Sequence, residues 1–160
     1  MQRLWAPWRM NYIVNDKEHG CVFCNKLQER DDRTNLVLHR GPHSIVLLNK
    51  YPYTNGHLMV APSRHVRNLE DLSMRECNAL MQHLQRSVEL VKMVLSPDGV
   101  NIGANLGKAA GAGVEDHLHF HVVPRWEGDT NCMPVLADVR VIPEHLEVTY
   151  DRLHTFFKDF

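Results

Sequence analysis

Three histidines at alternate positions, His117, His119 and His121, are the residues of this 160-residue chain best suited to chemistry. Successive side chains of a strand point to opposite faces, so these imidazoles would share one face about 7 Å apart. A neutral imidazole can attack phosphorus near neutral pH, and a neighbouring one can donate a hydrogen bond or a proton to the leaving oxygen. A solvated polar strand face or a metal site would give the same spacing. The spacing alone therefore leaves three interpretations, of which phosphate chemistry is one.

A segment rich in glycine and alanine lies directly before the histidines, from Asn105 to Gly113. Small residues let backbone N–H groups approach an anion. The segment is not a P-loop, because no Gly-Lys-Ser/Thr triplet opens a helix. A flexible hairpin connection is the alternative. Its position next to the histidines favours a phosphate-binding loop in which Gly111 and Gly113 offer backbone amides.

Cys21 and Cys24 have the spacing of half a structural zinc site. A redox pair and two buried thiols at a helix start are the alternatives. A thioredoxin-like pair follows a strand, and no strand is predicted before Cys21. Zinc would need two more ligands, which the eleven histidines could supply.

Composition limits the kinds of partner. The formal net charge is −1 with neutral histidines, so a protein that coats nucleic acid is not expected. The N-terminal residues lack an apolar run of signal-peptide length, and no segment approaches the roughly 20 apolar residues of a membrane span. Four cysteines in a chain of this length do not indicate a disulfide scaffold. We therefore expect a cytoplasmic protein that binds neither membranes nor nucleic acid.

The elements that must position these residues follow from periodicity and turn signals. Ser73 and Glu76 form a capping box at the start of a long amphipathic helix that runs to Leu95 and is stopped by Pro97-Asp98-Gly99. The other predicted elements are a short helix over residues 21–30, strands over 35–39, 44–48, 57–61, 100–105 and 117–123, an extended piece over 140–142, and a helix over 144–157. This order predicts one α+β domain over residues 1–160 with a mainly antiparallel sheet. Residues 1–20 would be an irregular arm and residues 127–160 a C-terminal extension.

Two motifs in the chain resemble one known family. Residues 117–123, preceded by Ala110-Gly111-Ala112-Gly113-Val114 and followed by Pro124-Arg125, are similar to the signature of the histidine-triad (HIT) superfamily. Residues 53–65, which read Tyr-Thr-Asn-Gly-His-Leu-Met-Val-Ala-Pro-Ser-Arg-His, resemble its central strand and exit. Residues 4–9 and 128–131 look closest to the bacterial branch related to diadenosine tetraphosphate phosphorylases. The resemblance implies the histidine-triad fold and a homodimer, with the long helix and a sheet edge at the interface.

The resemblance also implies residue roles. His119 would be the nucleophile that carries the nucleotidyl group, and His121 would contact the phosphates and assist the leaving group. His57 would lie beside the α-phosphate and the nucleophile, Asn49 would bind ribose hydroxyls, and Asn105 would be a phosphate-side amide. The substrate would be a nucleotide phosphoanhydride with an AMP moiety, and the flanking segments favour an adenine dinucleoside polyphosphate. Water as acceptor would make the protein a hydrolase, and phosphate would make it a phosphorylase.

In several relatives a histidine after the central strand and the first triad histidine complete a structural zinc site, which implies Cys21, Cys24, His65 and His117 here. Many relatives have Gln-Ser or Gln-Thr before the triad, whereas this chain has Ala112-Gly113 and one additional residue, Glu115 or Asp116. Backbone amides would then replace side-chain contacts to phosphate. Two other hypotheses stay open. One is a zinc-stabilised purine-nucleotide-binding module with incidental phosphoramidase activity, and the other is a redox protein.

Overall fold

The protein is described by a computed structural model that covers residues 20–129 and 142–158. Its helices and strands, numbered in chain order, are α1 (Val22–Gln28), β1 (Val37–Arg40), β2 (Ser44–Leu48), β3 (Leu58–Pro62), α2 (Met74–Leu95), β4 (Gly99–Ala104), β5 (Phe120–Arg125) and α3 (Leu146–Phe157). Short 3₁₀ turns lie at Leu69–Asp71 and Lys108–Ala110. Residues 1–19 of the predicted arm, and residues 140 and 141 of the predicted extended piece, are outside the described ranges.

Within the described residues, the five strands form one antiparallel sheet in the order β1-β2-β3-β5-β4. The strand that follows the glycine-rich loop is therefore inserted between β3 and β4. The long helix and the C-terminal helix are both present. The prediction of an α+β histidine-triad fold with a mainly antiparallel sheet is confirmed.

The two faces of the sheet have different coverings. Residues paired across antiparallel strands share a face, so Val60, Phe120 and their neighbours pack on one side. Helices α2 and α3 cover that side through a core formed by Leu38, Val46, Leu48, Leu58, Val60, Leu84, Leu90, Val122, Tyr150 and Leu153 among others. The opposite face is covered at one end by Phe23 of α1, which packs with Val37, Ile45, Leu47 and Ala61. His121 pairs with Met59 and therefore lies on this second face.

The capping box at the start of α2 is confirmed. The Ser73 hydroxyl accepts a hydrogen bond from the Glu76 backbone N–H, and the Glu76 carboxylate accepts one from the Ser73 N–H at 2.8 Å. At the other end, Ser96 adopts a left-handed conformation with φ of 49°, which ends the helix before the predicted Pro97 stop. Both ends of the helix thus depend on local chemistry.

The last strand departs from the prediction of residues 117–123, because β5 begins at Phe120 and runs through Pro124 to Arg125. The ladder between β3 and β5 starts at Phe120 because Pro62, at the end of β3, has no N–H to donate. Pro124 is tolerated because its backbone nitrogen and carbonyl face away from β4, where β3 has already ended and no strand needs an N–H donor. Its carbonyl accepts from the Thr54 hydroxyl on that side. The other predicted strand and helix ends differ from the structure by at most two residues.

Among the described residues, no helix combines the length and the apolar composition that a membrane crossing requires.

Candidate functional site

A cluster of histidines occupies the face of the sheet that α1 partly covers. The ring centroids of His119 and His121 are 4.9 Å apart, and those of His121 and His57 are 5.0 Å apart. His57 is fully buried and His119 is only 6% exposed. The predicted sharing of one face by His119 and His121 therefore holds, although His119 precedes the strand.

The proton of a neutral His119 is fixed by its backbone partner. Its Nδ1 lies 2.8 Å from the carbonyl oxygen of His117. A carbonyl oxygen can only accept, so Nδ1 carries the hydrogen and the lone pair resides on Nε2. Burial lowers the pKa of His119, which favours the neutral ring. The Nε2 lone pair of His119 is therefore available for nucleophilic attack, and no general base is needed to remove a proton first. The ring of Phe23 packs against the His119 ring, with centroids 5.0 Å apart.

His121 is held in the opposite tautomer through His57. The Tyr53 backbone N–H donates to Nδ1 of His57 at 3.1 Å, so the hydrogen of a neutral His57 is on Nε2. That Nε2–H is 2.9 Å from Nδ1 of His121, which must accept. The hydrogen of neutral His121 is therefore on Nε2. Burial, and then the charge of His119, lower the pKa of His121 to about 4, so this group is a neutral hydrogen-bond donor at pH 7.

These contacts place His57 behind His121. The described contacts join His57 to His121, and His121 to His119, so His57 would act on the nucleophile through its neighbour. Tyr53 was not singled out from the sequence, yet its ring packs on His57 at 4.6 Å and on His121 at 5.8 Å. No periodic signal marks it, because it lies in the turn before β3.

Of the predicted substrate-binding residues, Asn49 contacts the histidine cluster, while Asn105 contacts the glycine-rich loop. Asn49 follows β2, with its Nδ2 at 3.3 Å from Nδ1 of His57 and its Oδ1 accepting from the Tyr51 N–H. Asn105 follows β4 and donates from Nδ2 to the Gly111 carbonyl at 3.4 Å, which closes the base of the glycine-rich loop. Gly111 and Gly113 are exposed on that loop. Their roles toward a substrate stay predictions.

The four predicted metal ligands come together. Their donor atoms all lie within 4.8 Å of one another. Sγ of Cys21 is 3.2 Å from Nδ1 of His117, and Sγ of Cys24 is 3.3 Å from Nδ1 of His65. In a tetrahedral zinc site with these ligands, donor atoms are about 3.5 Å apart. The group therefore has the composition and spacing of a closed Cys₂His₂ site.

The protonation states also fit a metal. Nε2 of His117 lies 2.8 Å from the Pro62 carbonyl, which makes Nε2 the donor and leaves the Nδ1 lone pair directed at the cysteines. Burial and the neighbouring Cys21 raise the pKa of the Cys24 thiol to about 11. A thiolate at this position would need a bound cation beside it.

The Cys₂His₂ group and His119 share one backbone segment. Leu118, between His117 and His119, donates its N–H to the Val66 carbonyl at 2.7 Å, and Val66 follows His65. An ion bound by His65 and His117 would therefore link the two hydrogen-bonded backbone segments next to His119.

An ion pair fixes the segment that carries His65. Arg64 donates from Nε and Nη2 to the two carboxylate oxygens of Glu76, at 2.8 and 3.0 Å, and from Nη2 to the Asp71 carbonyl at 2.9 Å. The Glu76 side chain is only 7% exposed. The capping box revealed Glu76 in the sequence, but its pairing with Arg64 depends on how α2 packs against β3.

Comparisons with known proteins identify the family of this chain. A model of the HIT domain matches residues 30–128. The AP-4-A phosphorylase of Mycobacterium tuberculosis is 40% identical over 163 residues, covering 97% of this chain and 84% of that protein. The bis(5'-adenosyl)-triphosphatase of Saccharomyces cerevisiae is 33% identical over 95 residues, which are 59% of this chain and 46% of that protein. A Zn-bound histidine triad family protein from Mycobacterium smegmatis superposes with a TM-score of 0.68 and 28% identity, over 88% of this chain and 94% of that one.

The chain belongs to the HIT family. Within that family it is an enzyme, homologous to AP-4-A phosphorylase.

Proposed function

We propose that this protein cleaves a phosphoanhydride bond of an adenine dinucleoside polyphosphate through a nucleotidyl intermediate on Nε2 of His119. The observation that carries the proposal is the hydrogen bond from Nδ1 of His119 to the His117 carbonyl, because it leaves the nucleophilic lone pair on Nε2. The similarity to AP-4-A phosphorylase over 97% of the chain supports this substrate class.

The first step forms one bond and breaks one. Nε2 of His119 attacks the α-phosphorus of the AMP moiety, and the bond from that phosphorus to the bridging oxygen breaks. The leaving polyphosphate keeps the bond electrons, and the Nε2–H of His121 donates a hydrogen bond to its oxygen. His57 holds His121 in the tautomer that makes this possible.

In the second step an acceptor oxygen attacks the same phosphorus and the P–N bond returns its electrons to Nε2. Water as acceptor would yield AMP, and inorganic phosphate would yield ADP. The M. tuberculosis relative, a phosphorylase by name, favours phosphate. We assign ribose binding to Asn49, and phosphate binding to Asn105 and to the amide of Gly113, because the Gly111 N–H already donates to the Lys108 carbonyl at 3.0 Å.

We further propose that Cys21, Cys24, His65 and His117 hold a structural zinc ion. Zinc with two thiolates and two imidazoles has no open position, so it would supply stability and orientation instead of Lewis acidity toward the substrate. The donor spacing and the Zn-bound relative support the assignment.

A homodimer is also proposed, with α2 and the outer edge of β4 at the interface. β4 is the last strand of the sheet, Ile102 on it is 53% exposed, and Met81 on α2 is 57% exposed. An uncovered strand edge with an apolar side chain favours pairing with a second copy. Light scattering after chromatography should give a dimer for the wild type and a monomer for Ile102→Lys; a wild-type monomer would overturn this assignment.

The decisive experiment is incubation of the wild type and His119→Ala with diadenosine tetraphosphate, with and without phosphate. We expect ADP and ATP in phosphate, and no turnover by the variant. His43→Ala, a change at an exposed histidine outside the cluster, is the matched control and should behave as wild type. Turnover by His119→Ala at the wild-type rate would exclude covalent catalysis. Binding of AMP without turnover by the wild type would favour a nucleotide-binding module.

A further inference from the structure

The face of β4 that continues the histidine site carries few side-chain atoms. Side chains alternate along a strand, so Gly99, Asn101 and Gly103 share one face and Ile102 lies on the other. Gly103 pairs directly with His121, which puts it on the site face beside the proposed leaving-group donor. A glycine inside a strand weakens it and often marks a place where a ligand approaches the backbone closely.

Neither conformation nor packing requires glycine at position 103. The glycines with positive φ among the described residues are Gly20, Gly56, Gly107, Gly111 and Gly128, and Gly103 is not one of them. A Cβ atom built on Gly103 meets no heavy atom within 4 Å. Among residues 20–129 and 142–158 a larger side chain would fit there, so no contact between these residues accounts for a glycine at position 103.

The sheet order tells which part of a substrate would pass over Gly103. Asn49, proposed to bind the ribose, follows β2, while Gly103 is on β4, and β3 and β5 lie between them. His121 on β5 therefore separates Asn49 from Gly103. With neighbouring strands about 4.8 Å apart, Gly103 lies on the side of His121 toward which the leaving group would extend.

The surroundings of Gly103 are polar, and they include Arg125, whose Nε and Nη2 donate to the Asp129 carboxylate. Asn101, next on the same face, is exposed, and its Oδ1 accepts from Nη1 of Arg125 at 3.2 Å. Asn105, two residues beyond Gly103, joins the glycine-rich loop through Gly111. A strip of β4 that carries no side chain at Gly103 thus runs between the exposed glycine-rich loop and the side chains of Asn101 and Arg125.

We propose that Gly103 determines specificity for the leaving group: its bare backbone lets a nucleoside polyphosphate leave across β4 beside His121. The proposal rests on the proposed function, since it takes His119 as the nucleophile and Asn49 as the ribose site. A side chain at this position would exclude a large leaving group and still admit a small one.

The test compares Gly103→Val with Gly99→Val on two substrates. Diadenosine tetraphosphate has a nucleoside polyphosphate as leaving group, and adenosine 5'-phosphoramidate has only ammonia. Valine suits a strand, so both variants should fold and keep the wild-type oligomeric state. Thermal unfolding, zinc content and light scattering would verify this, because β4 is also at the proposed dimer interface. Gly99 lies on the same face about 13 Å away, and a Cβ there also meets nothing within 4 Å, so it is the matched control.

We expect Gly103→Val to lower kcat/KM for diadenosine tetraphosphate by at least about tenfold and to leave the phosphoramidate rate within about twofold. Gly99→Val should resemble wild type on both substrates. An equal loss on both substrates, or no loss on either, would overturn the proposal.

Binding separates this proposal from the proposed function. In a His119→Ala background, Gly103→Val should raise the Kd for diadenosine tetraphosphate about tenfold and leave the Kd for AMP unchanged. Unchanged binding of diadenosine tetraphosphate would contradict the role of Gly103 even in a protein that proved catalytically inactive. Wild-type inactivity would count against the proposed function alone.

Discussion

His57 donates from Nε2 to Nδ1 of His121 across 2.9 Å, and the direction of this bond is set by a group that cannot titrate, the backbone N–H of Tyr53. Because that N–H can only donate, neutral His57 and neutral His121 are each restricted to one tautomer. His121 thus carries its hydrogen on Nε2, whereas the neighbouring His119 carries its hydrogen on Nδ1 because the His117 carbonyl accepts from it.

Glutamine should replace His57 better than phenylalanine does. The Gln oxygen can accept from the Tyr53 N–H while its amide nitrogen donates to His121, whereas a phenylalanine ring would fill the volume and make neither bond. We expect His57→Gln to keep kcat within about tenfold of wild type and His57→Phe to lose about 100-fold. Of the two variants, only His57→Gln should show the Nε2–H tautomer of His121 in nitrogen NMR shifts. Equal rates for the two variants would contradict this positioning role.

Replacing a proposed metal ligand should remove the metal. Cys24→Ser should lose stoichiometric zinc and unfold at a lower temperature, because metal binding and folding are coupled. Cys77→Ser is the control, since this half-buried cysteine is outside the cluster. Elemental analysis with thermal unfolding measures both effects. Full zinc occupancy in Cys24→Ser, or loss of function in it without loss of metal, would refute the structural zinc site and favour redox chemistry.

The Arg64–Glu76 pair predicts acid sensitivity. The Arg64 guanidinium, followed by the backbone N–H and hydroxyl of Ser73, lowers the pKa of Glu76 from 4.5 to about 2. A carboxylate with a depressed folded-state pKa adds stability above its unfolded pKa, and this stability declines as the pH falls from about 4.5 toward 2. Glu76→Gln should be less stable than wild type at pH 7, and the difference should vanish near pH 2. Urea unfolding over this range provides the measurement; a gap that stays constant would refute the pairing.

The turn before His57 should not tolerate a side chain. Gly56 has φ of +71°, and a Cβ there would overlap Cδ1 of Leu95. Gly56→Ala should destabilise by about 1–3 kcal/mol through backbone strain and displacement of Leu95. Gly99→Ala, with ordinary φ and open space, should change stability by less than about 1 kcal/mol. Comparable unfolding free energies for the two variants would argue against the strained turn.

Local patterns predicted most of the fold. The capping box fixed the start of α2, and the second strand was predicted at the residues where β2 lies. The start of β5 was missed because it depends on Pro62 of another strand. Register and strand order are likewise set by contacts distant in sequence, which periodicity does not encode.

The candidate site was likewise predicted only in part. Residue types and spacing indicated the histidine row and the cysteine pair, and the resemblance supplied His65 and His117 as partners of the cysteines. The tautomers could not be predicted, because they rest on the carbonyl of His117 and the N–H of Tyr53, which are backbone groups that carry no signal in the sequence. Tyr53 and Arg64 escaped notice because they contact His121 and Glu76, which lie on other elements.

The C-terminal helix α3 packs in the main core although it lies outside residues 30–128, which the family model matches. Tyr150 of α3 donates its hydroxyl hydrogen to the Val37 carbonyl at 3.0 Å, and Leu153 and Phe157 are in the main core. At the other end, Phe23, Cys21 and Cys24 precede residue 30, where the family match begins. The segment that the family model matches is thus smaller than the packed core, so a fragment cut to residues 30–128 would contain the histidines but lack the two helices that pack on the faces of the sheet.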